Sequence, residues 1–63
     1  MNEKILKYLE TGDWQLVVRK SNDANWLFYA EIWKAGRDFA GDPVYEGCGE
    51  SPQQALDILA TYL

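Results

Sequence analysis

Few residues of this chain could do chemistry, and their types limit what that chemistry could be. The 63-residue sequence contains no histidine and one cysteine, Cys48. Neither a Ser-His nor a Cys-His nucleophile can therefore be assembled, and no basic residue lies near Cys48 in the sequence to activate its thiol. One cysteine also provides no zinc-ligand spacing. We predict a protein that is not an enzyme and that has no metal and no cofactor.

A regular series of carboxylates stands out in the second half of the chain: Asp38, Asp42, Glu46 and Glu50 recur every four residues. The three glycines and one proline between them exclude a helix, and the spacing is not that of a calcium-binding loop. In an extended chain, residues four apart share one face and lie about 13 Å from each other. We hypothesise that this line of charges imitates phosphates; the alternative is that it only keeps a small domain soluble.

The net charge of −4 is unevenly distributed along the chain. Acidic and basic residues cancel in residues 1–35, so the whole net charge comes from residues 36–63, where Arg37 is the only basic residue. Such an asymmetry bears on the choice of partner. We expect the partner to be a protein with a basic surface and expect no direct binding of nucleic acid.

Length and composition predict a single domain over residues 1–63. An apolar content of 48% excludes a disordered chain. No apolar run approaches the roughly 20 residues that span a bilayer, and the first residues mix Glu3, Lys4 and Lys7 into any apolar stretch, unlike a signal peptide. We therefore expect no membrane association. Because one cysteine cannot close an intramolecular disulfide, we also expect a reducing, cytoplasmic location, which is the host cytoplasm if a phage encodes the protein.

Two helices and three strands are predicted to hold these residues. The first helix covers about residues 3–11, with Asn2 as its N-cap. Strands follow at 14–20, 26–33 and 44–47, separated by a turn at 21–25 and a second turn near Gly36, after which residues 37–39 are a candidate return to the sheet. The last helix runs to the end of the chain, with Ser51 as N-cap and Gln54 completing a capping box. Its predicted inner stripe is Ala55, Ile58, Leu59 and Tyr62.

The resulting fold class is α+β, with the order α-β-β-β-α. The three strands form an antiparallel meander, and both helices cover one face of it. In strand two, Glu31 indicates that the odd-numbered side chains face solvent, and in strand three Glu46 is predicted to point to the same face. The even-numbered residues of strand two and two residues of strand three are predicted to face the helices: Trp26, Phe28, Ala30, Ile32, Tyr45 and Gly47.

The uncovered face is predicted to carry an apolar patch, and such patches usually mark contact surfaces. Tyr29 and Trp33 are its large aromatic anchors, with Leu27, Val17 and Val44 beside them. An alternative is that the first helix, or a second copy of the chain, covers this patch.

The element order and the segment GCGESPQQALDILATYL resemble double-stranded-RNA-binding domains. In that family, lysines at the start of the second helix contact phosphates. The matching positions here look like Pro52, Gln53 and Gln54, with Glu50 just before them. Because duplex binding depends on cations that neutralise phosphates, the resemblance implies the fold without the RNA-binding function. A degenerate member that still binds RNA would show duplex affinity at low salt.

The segments GDWQLVV, WLFYAEIW and ESPQQAL are similar to those of small phage-encoded proteins with an α-β-α sandwich. Several phage families of this size block host defence by occupying a nucleic-acid site. The resemblance implies an anti-CRISPR-like inhibitor that binds a basic, nucleic-acid-handling surface of a host protein. For this function, the residues themselves predict ionic contacts and apolar anchors at Asp38, Asp42, Glu46, Glu50, Tyr29 and Trp33. The alternative hypothesis is a structural homodimer that associates through the aromatic sheet face.

Overall fold

A computed structural model describes residues 2–22, 27–35 and 41–63. It confirms the order α-β-β-β-α and the antiparallel meander β1-β2-β3. None of the helices in this part of the chain is long and apolar enough to cross a membrane. The elements are α1 (Glu3–Leu9), β1 (Trp14–Lys20), β2 (Phe28–Lys34), β3 (Tyr45–Gly49) and α2 (Pro52–Ala60).

Polar side chains cap both helices as predicted. The Asn2 Oδ1 accepts a hydrogen bond from the backbone N–H of Lys4 at 2.8 Å. At α2, the Ser51 Oγ accepts from the N–H of Gln54 at 3.1 Å, and the Gln54 side chain in turn accepts from the N–H of Glu50 at 2.6 Å. The reciprocal bond therefore reaches one residue before the N-cap, which fastens the end of β3 to the first turn of α2.

Both helices pack on the same face of the sheet. The core between them consists of Ile5 from α1, Ala30 and Ile32 from β2, and side chains of α2. Tyr8 of α1 also packs its ring against Trp14 and Tyr45, at centroid distances of 5.1 and 5.6 Å. Because these rings belong to the helix-covered face, the alternative that α1 covers the opposite face is wrong.

Close approach of α2 to the sheet depends on a missing side chain in β3. A Cβ added to Gly47 would collide with the backbone N of Leu59 and lie 2.7 Å from the carbonyl O of Ala55. Any larger residue would push the helix off the sheet. The fully buried Ala30 is paired with Gly47 in the register, so two small residues form the seat of α2, as predicted.

Some predicted boundaries are wrong. The first helix ends at Leu9, and the third strand is Tyr45–Gly49 because Gly47 and Gly49 belong to the strand that seats α2. The last helix ends at Ala60, so Tyr62 lies beyond it and is 59% exposed, while Leu56 and Ala60 join the buried stripe. Trp26 and the candidate return to the sheet at 37–39 lie outside the described residues.

Candidate functional site

The face of the sheet opposite the helices is the candidate site, and we call it the open face. Antiparallel register arranges its side chains in rows across the strands. One row contains Val17, Glu31 and Glu46, and the next contains Arg19, Tyr29 and Cys48. Trp33 pairs with Gln15 at one end. This face therefore combines two carboxylates and a guanidinium with aromatic rings.

Glu31 is buried on this uncovered face, with only 4% of its surface exposed. Both carboxylate oxygens accept hydrogen bonds: Arg19 donates through Nε and Nη2 at 3.3 and 3.2 Å, and the Trp33 Nε1 donates at 3.2 Å. The prediction that Glu31 is exposed to solvent is wrong, although Glu31 does lie on the predicted outer face of the sheet. The bidentate ion pair with Arg19 and the hydrogen bond from Trp33 compensate for the burial of this carboxylate.

The pKa of Glu31 reflects two opposed effects. Burial alone would raise this pKa, because a carboxylate loses its hydration. Hydrogen bonds to Arg19, Trp33 and Glu46, together with the positive charge of Arg19, outweigh that effect and hold the pKa of Glu31 below its usual value. Glu31 is therefore a fixed negative charge at neutral pH, with a fixed orientation.

Glu46 has the opposite behaviour, although it is directly across the strand pair from Glu31. Burial raises the pKa of Glu46, and the hydrogen bond to Glu31 and the negative charge of that neighbour raise it further. The charge of Asp42 acts in the same direction, while Arg19 partly opposes it. Like charges on opposed strand residues repel, so Glu46 is the carboxyl of this pair that retains a proton longer.

Aromatic rings border this polar cluster. The guanidinium of Arg19 lies 4.5 Å from the ring centroid of Tyr29, a cation–π distance. Val17, Arg19, Glu31 and Trp33 line a depression of about 330 Å³. Tyr29, Trp33, Leu27 and Val17 are half-buried rather than fully exposed, whereas Val44 is 48% exposed. The open face is consequently a shallow surface whose central side chains are joined by hydrogen bonds, and it is not a purely apolar patch.

The carboxylate series is only partly brought together. Asp42 and Glu46 lie near enough for the charge of Asp42 to raise the pKa of Glu46. Glu50 is exposed at the junction of β3 and α2, and Asp38 lies outside the described residues. The structure thus places Glu46 on the same face as Tyr29 and Trp33, and Asp42 near enough to Glu46 to act on its charge.

Arg19 is the residue of this face that sequence reasoning did not single out. Its ion pair with Glu31 is the only one on this face in the described segments. A basic residue directly opposite Glu31 in the strand pair would have indicated this ion pair in the sequence. Arg19 instead pairs in register with Tyr29 and reaches Glu31 diagonally. Such diagonal contacts are within reach of long side chains.

Cys48 lies on β3 and is exposed, as expected for a small residue on a short strand. In residues 2–22, 27–35 and 41–63, no three His, Cys, Asp or Glu side chains are grouped so as to hold a metal ion.

Comparisons with known proteins supply no relative for this arrangement. No family model, no curated protein and no solved structure matches the chain. Neither of the two resemblances gains support from them, so what the open face does has to be argued from its own residues.

Proposed function

We propose that this protein is a non-catalytic binding module that contacts a basic protein surface through its open face. The observation that carries the proposal is the cluster of Arg19, Glu31 and Trp33, which fixes a charged, aromatic surface in place although no helix covers it. Contact surfaces are enriched in aromatic residues and arginine. A surface whose side chains are already fixed loses little conformational entropy when a partner binds.

The chemistry of the partner follows from charge. Arg19 is neutralised by Glu31, which leaves Asp42 and Glu46 as the acidic groups on or beside this face in the part of the chain that the structure describes. The net charge of the chain is −4. Complementary potentials speed association and exclude partners of like charge. Asp38, Asp42, Glu46 and Glu50 would then steer a cationic partner, and Tyr29 and Trp33 would be the anchors.

In its most specific form, the proposal describes a phage-encoded inhibitor that occupies a nucleic-acid-binding surface of a host defence protein. Its carboxylates would take the place of phosphates. Size is compatible with this role: the described protein exposes 4,399 Å², and one partner of an ordinary interface contributes about 800 Å². A single contact would therefore use roughly a fifth of the surface.

Binding of a deca-arginine peptide tests the charge requirement without knowledge of the natural partner. We expect isothermal titration calorimetry to show binding that weakens as salt shortens the Debye length from about 30 Å to about 3 Å. The informative variant is Asp42→Asn with Glu46→Gln. Its matched control is Glu3→Gln with Glu10→Gln, which removes the same charge from exposed positions on and just after α1. Equal losses of affinity in the two variants would contradict the proposal.

A second candidate is a homodimer stacked through the open face, and the half-buried Tyr29 and Trp33 favour it. Stacking would bring the Glu46 and Asp42 carboxyls of two copies onto one buried surface, where unpaired charges are costly. We therefore rank this candidate below the basic partner. A Tyr29→Ala, Trp33→Ala variant that leaves the oligomeric mass unchanged would eliminate it.

A further inference from the structure

Among the described residues, no strand pairs with the second edge of β1, which we call its free edge and which has the length and composition of a pairing strand. Strand β1 runs for seven residues, Trp14–Lys20, without a proline or glycine, and pairs with β2 on one side along its whole length. The other edge strand, β3, has five residues, of which two are glycines. Proteins usually protect such edges because an exposed row of backbone groups recruits another strand.

The hydrogen bonds at the two ends of β1 show which of its backbone groups point outward. Ser21 donates to the carbonyl of Leu27, and Ala35 donates to the carbonyl of Asp13. In an antiparallel ladder, bonded positions alternate, so the odd-numbered residues of β1 bond to β2. The N–H and C=O groups of Leu16 and Val18 must then point to the free edge. Their side chains lie on the helix-covered face, where Val18 is 43% exposed.

Helix α1 adds a second exposed apolar side chain in the same layer. It packs over β1 and α2, buries Ile5 and leaves Leu6 45% exposed. Around Leu6, α1 carries charges of both signs, including Glu3 and Lys7. A partner at this edge would meet a row of backbone groups and the exposed side chain of Val18, and α1 carries mixed charges in the same layer.

We propose that β1 pairs antiparallel with β1 of a second copy of this chain, forming a two-fold dimer with a continuous six-stranded sheet. The sequence of β1 is complementary to itself in the register that pairs all seven of its residues. With Val17 opposite Val17, Leu16 faces Val18, Gln15 faces Arg19 and Trp14 faces Lys20. Apolar side chains meet, no like charges are opposed, and Leu16 and Val18 exchange about four backbone hydrogen bonds across the axis.

Registers shifted towards the C-terminal end of β1 lose this complementarity. A shift that centres Val18 on its own copy places Leu16 opposite Lys20 and Val17 opposite Arg19. A further shift places Arg19 opposite Arg19, and like charges directly opposite destabilise a strand pair. Shifts in the other direction also oppose apolar residues, Leu16 with Leu16 and Trp14 with Val18, but the register centred on Val17 is the one that pairs all seven residues of β1. This inference is independent of the proposed function, because edge pairing leaves the open face uncovered.

Sedimentation equilibrium of two valine variants tests the dimer. Val18→Lys places a charge opposite Leu16 of the other copy, whereas the control Val44→Lys alters a valine of similar exposure, 48%, away from the β1 edge. We expect the native chain to dimerise, Val18→Lys to raise the dimer Kd at least about tenfold, a loss of about 1.4 kcal/mol, and Val44→Lys to leave it unchanged. A native chain that is monomeric at about 1 mM, an association near −4 kcal/mol, would overturn the proposal.

A chemically synthesised chain with an N-methyl group on Val18 removes the outward donor and keeps every side chain. We expect this chain to be monomeric, with the circular dichroism of the native fold. A dimer that survives N-methylation, or one that the Tyr29→Ala, Trp33→Ala variant abolishes while Val18→Lys does not, would show that the edge is not the interface.

Discussion

The two faces of the sheet bury their residues by different means. On the helix-covered face, Ala30 and Ile32 are fully buried by α1 and α2. On the open face, Glu31 is buried to nearly the same extent, and Arg19 and Trp33 donate hydrogen bonds to its carboxylate. Hydrophobic transfer dominates the first case, while charge-assisted hydrogen bonds compensate for desolvation in the second. The covered face therefore supplies the hydrophobic core, and recognition through the open face remains our proposal.

The largest contrast is expected between two consecutive residues of β2. Ile32→Ala removes a fully buried side chain and should destabilise the fold by about 2 to 5 kcal/mol. Trp33→Ala on the open face should cost less stability but should weaken binding of a basic partner. Urea unfolding of both variants measures the difference. A Trp33→Ala variant that loses as much stability as Ile32→Ala would show that the open face is part of the core.

A similar contrast is expected in β3. Gly47→Ala places a methyl group against the backbone of α2 and should destabilise the protein by about 1 to 3 kcal/mol. Its neighbour Cys48 is exposed on the opposite face, so Cys48→Ala should change the free energy of unfolding by less than about 0.5 kcal/mol. Thermal unfolding followed by circular dichroism distinguishes the two. Equal thermal midpoints for Gly47→Ala and Cys48→Ala would contradict the close packing of α2 against Gly47.

Replacing the buried carboxylate should have a moderate effect that depends on pH. Glu31→Gln loses two charge-assisted bonds to Arg19, which is half-exposed and can regain water, so we expect a cost of about 1 to 2 kcal/mol. The pKa of Glu31 is lowered in the fold, so its stabilisation is present above the unfolded pKa and is lost as pH falls through the folded pKa. Urea unfolding at pH 7 and at pH 3 should show the variant and the native chain converging at the acid end. A constant difference would contradict the ion pair.

The smallest expected effect is a gain of stability. The pKa of Glu46 is raised in the fold, so its favourable contribution is present below the unfolded pKa and is lost as pH rises through the folded pKa. Glu46→Gln keeps a donor for Glu31 and removes the repulsion. At pH 7 it should stabilise the protein by about 0.2 to 1 kcal/mol, the range for exposed charge pairs, and the gain should vanish in acid. A loss of stability at pH 7 would show that Glu46 does not repel Glu31.

Local sequence signals predicted most of the covered face. Asn2, Ser51 and Gln54 cap the helices as expected, since a cap involves only a few neighbouring residues. Strand alternation also predicts correctly that Ala30 and Gly47 face the helices. Tyr62 was placed wrongly because periodicity gives the phase of a helix but not its last residue.

The open face was less predictable because its properties depend on register. Alternation assigns Glu31 to the outer face, but its burial depends on which side chains of β1 and β3 lie beside it. The contact of Arg19 with Glu31 is diagonal, and the pairing of Glu31 with Glu46 depends on the connection between β2 and β3. No local pattern encodes either contact.

Mapping the bound deca-arginine peptide by nuclear magnetic resonance tests the central proposal most directly. We expect salt-sensitive shifts concentrated at Tyr29, Glu46 and the indole N–H of Trp33, with residues of α1 and α2 unaffected, and no binding of a double-stranded RNA. Shifts concentrated on the helices, or tight binding of the RNA by the purified chain, would contradict the assignment of the open face as a surface for a cationic protein.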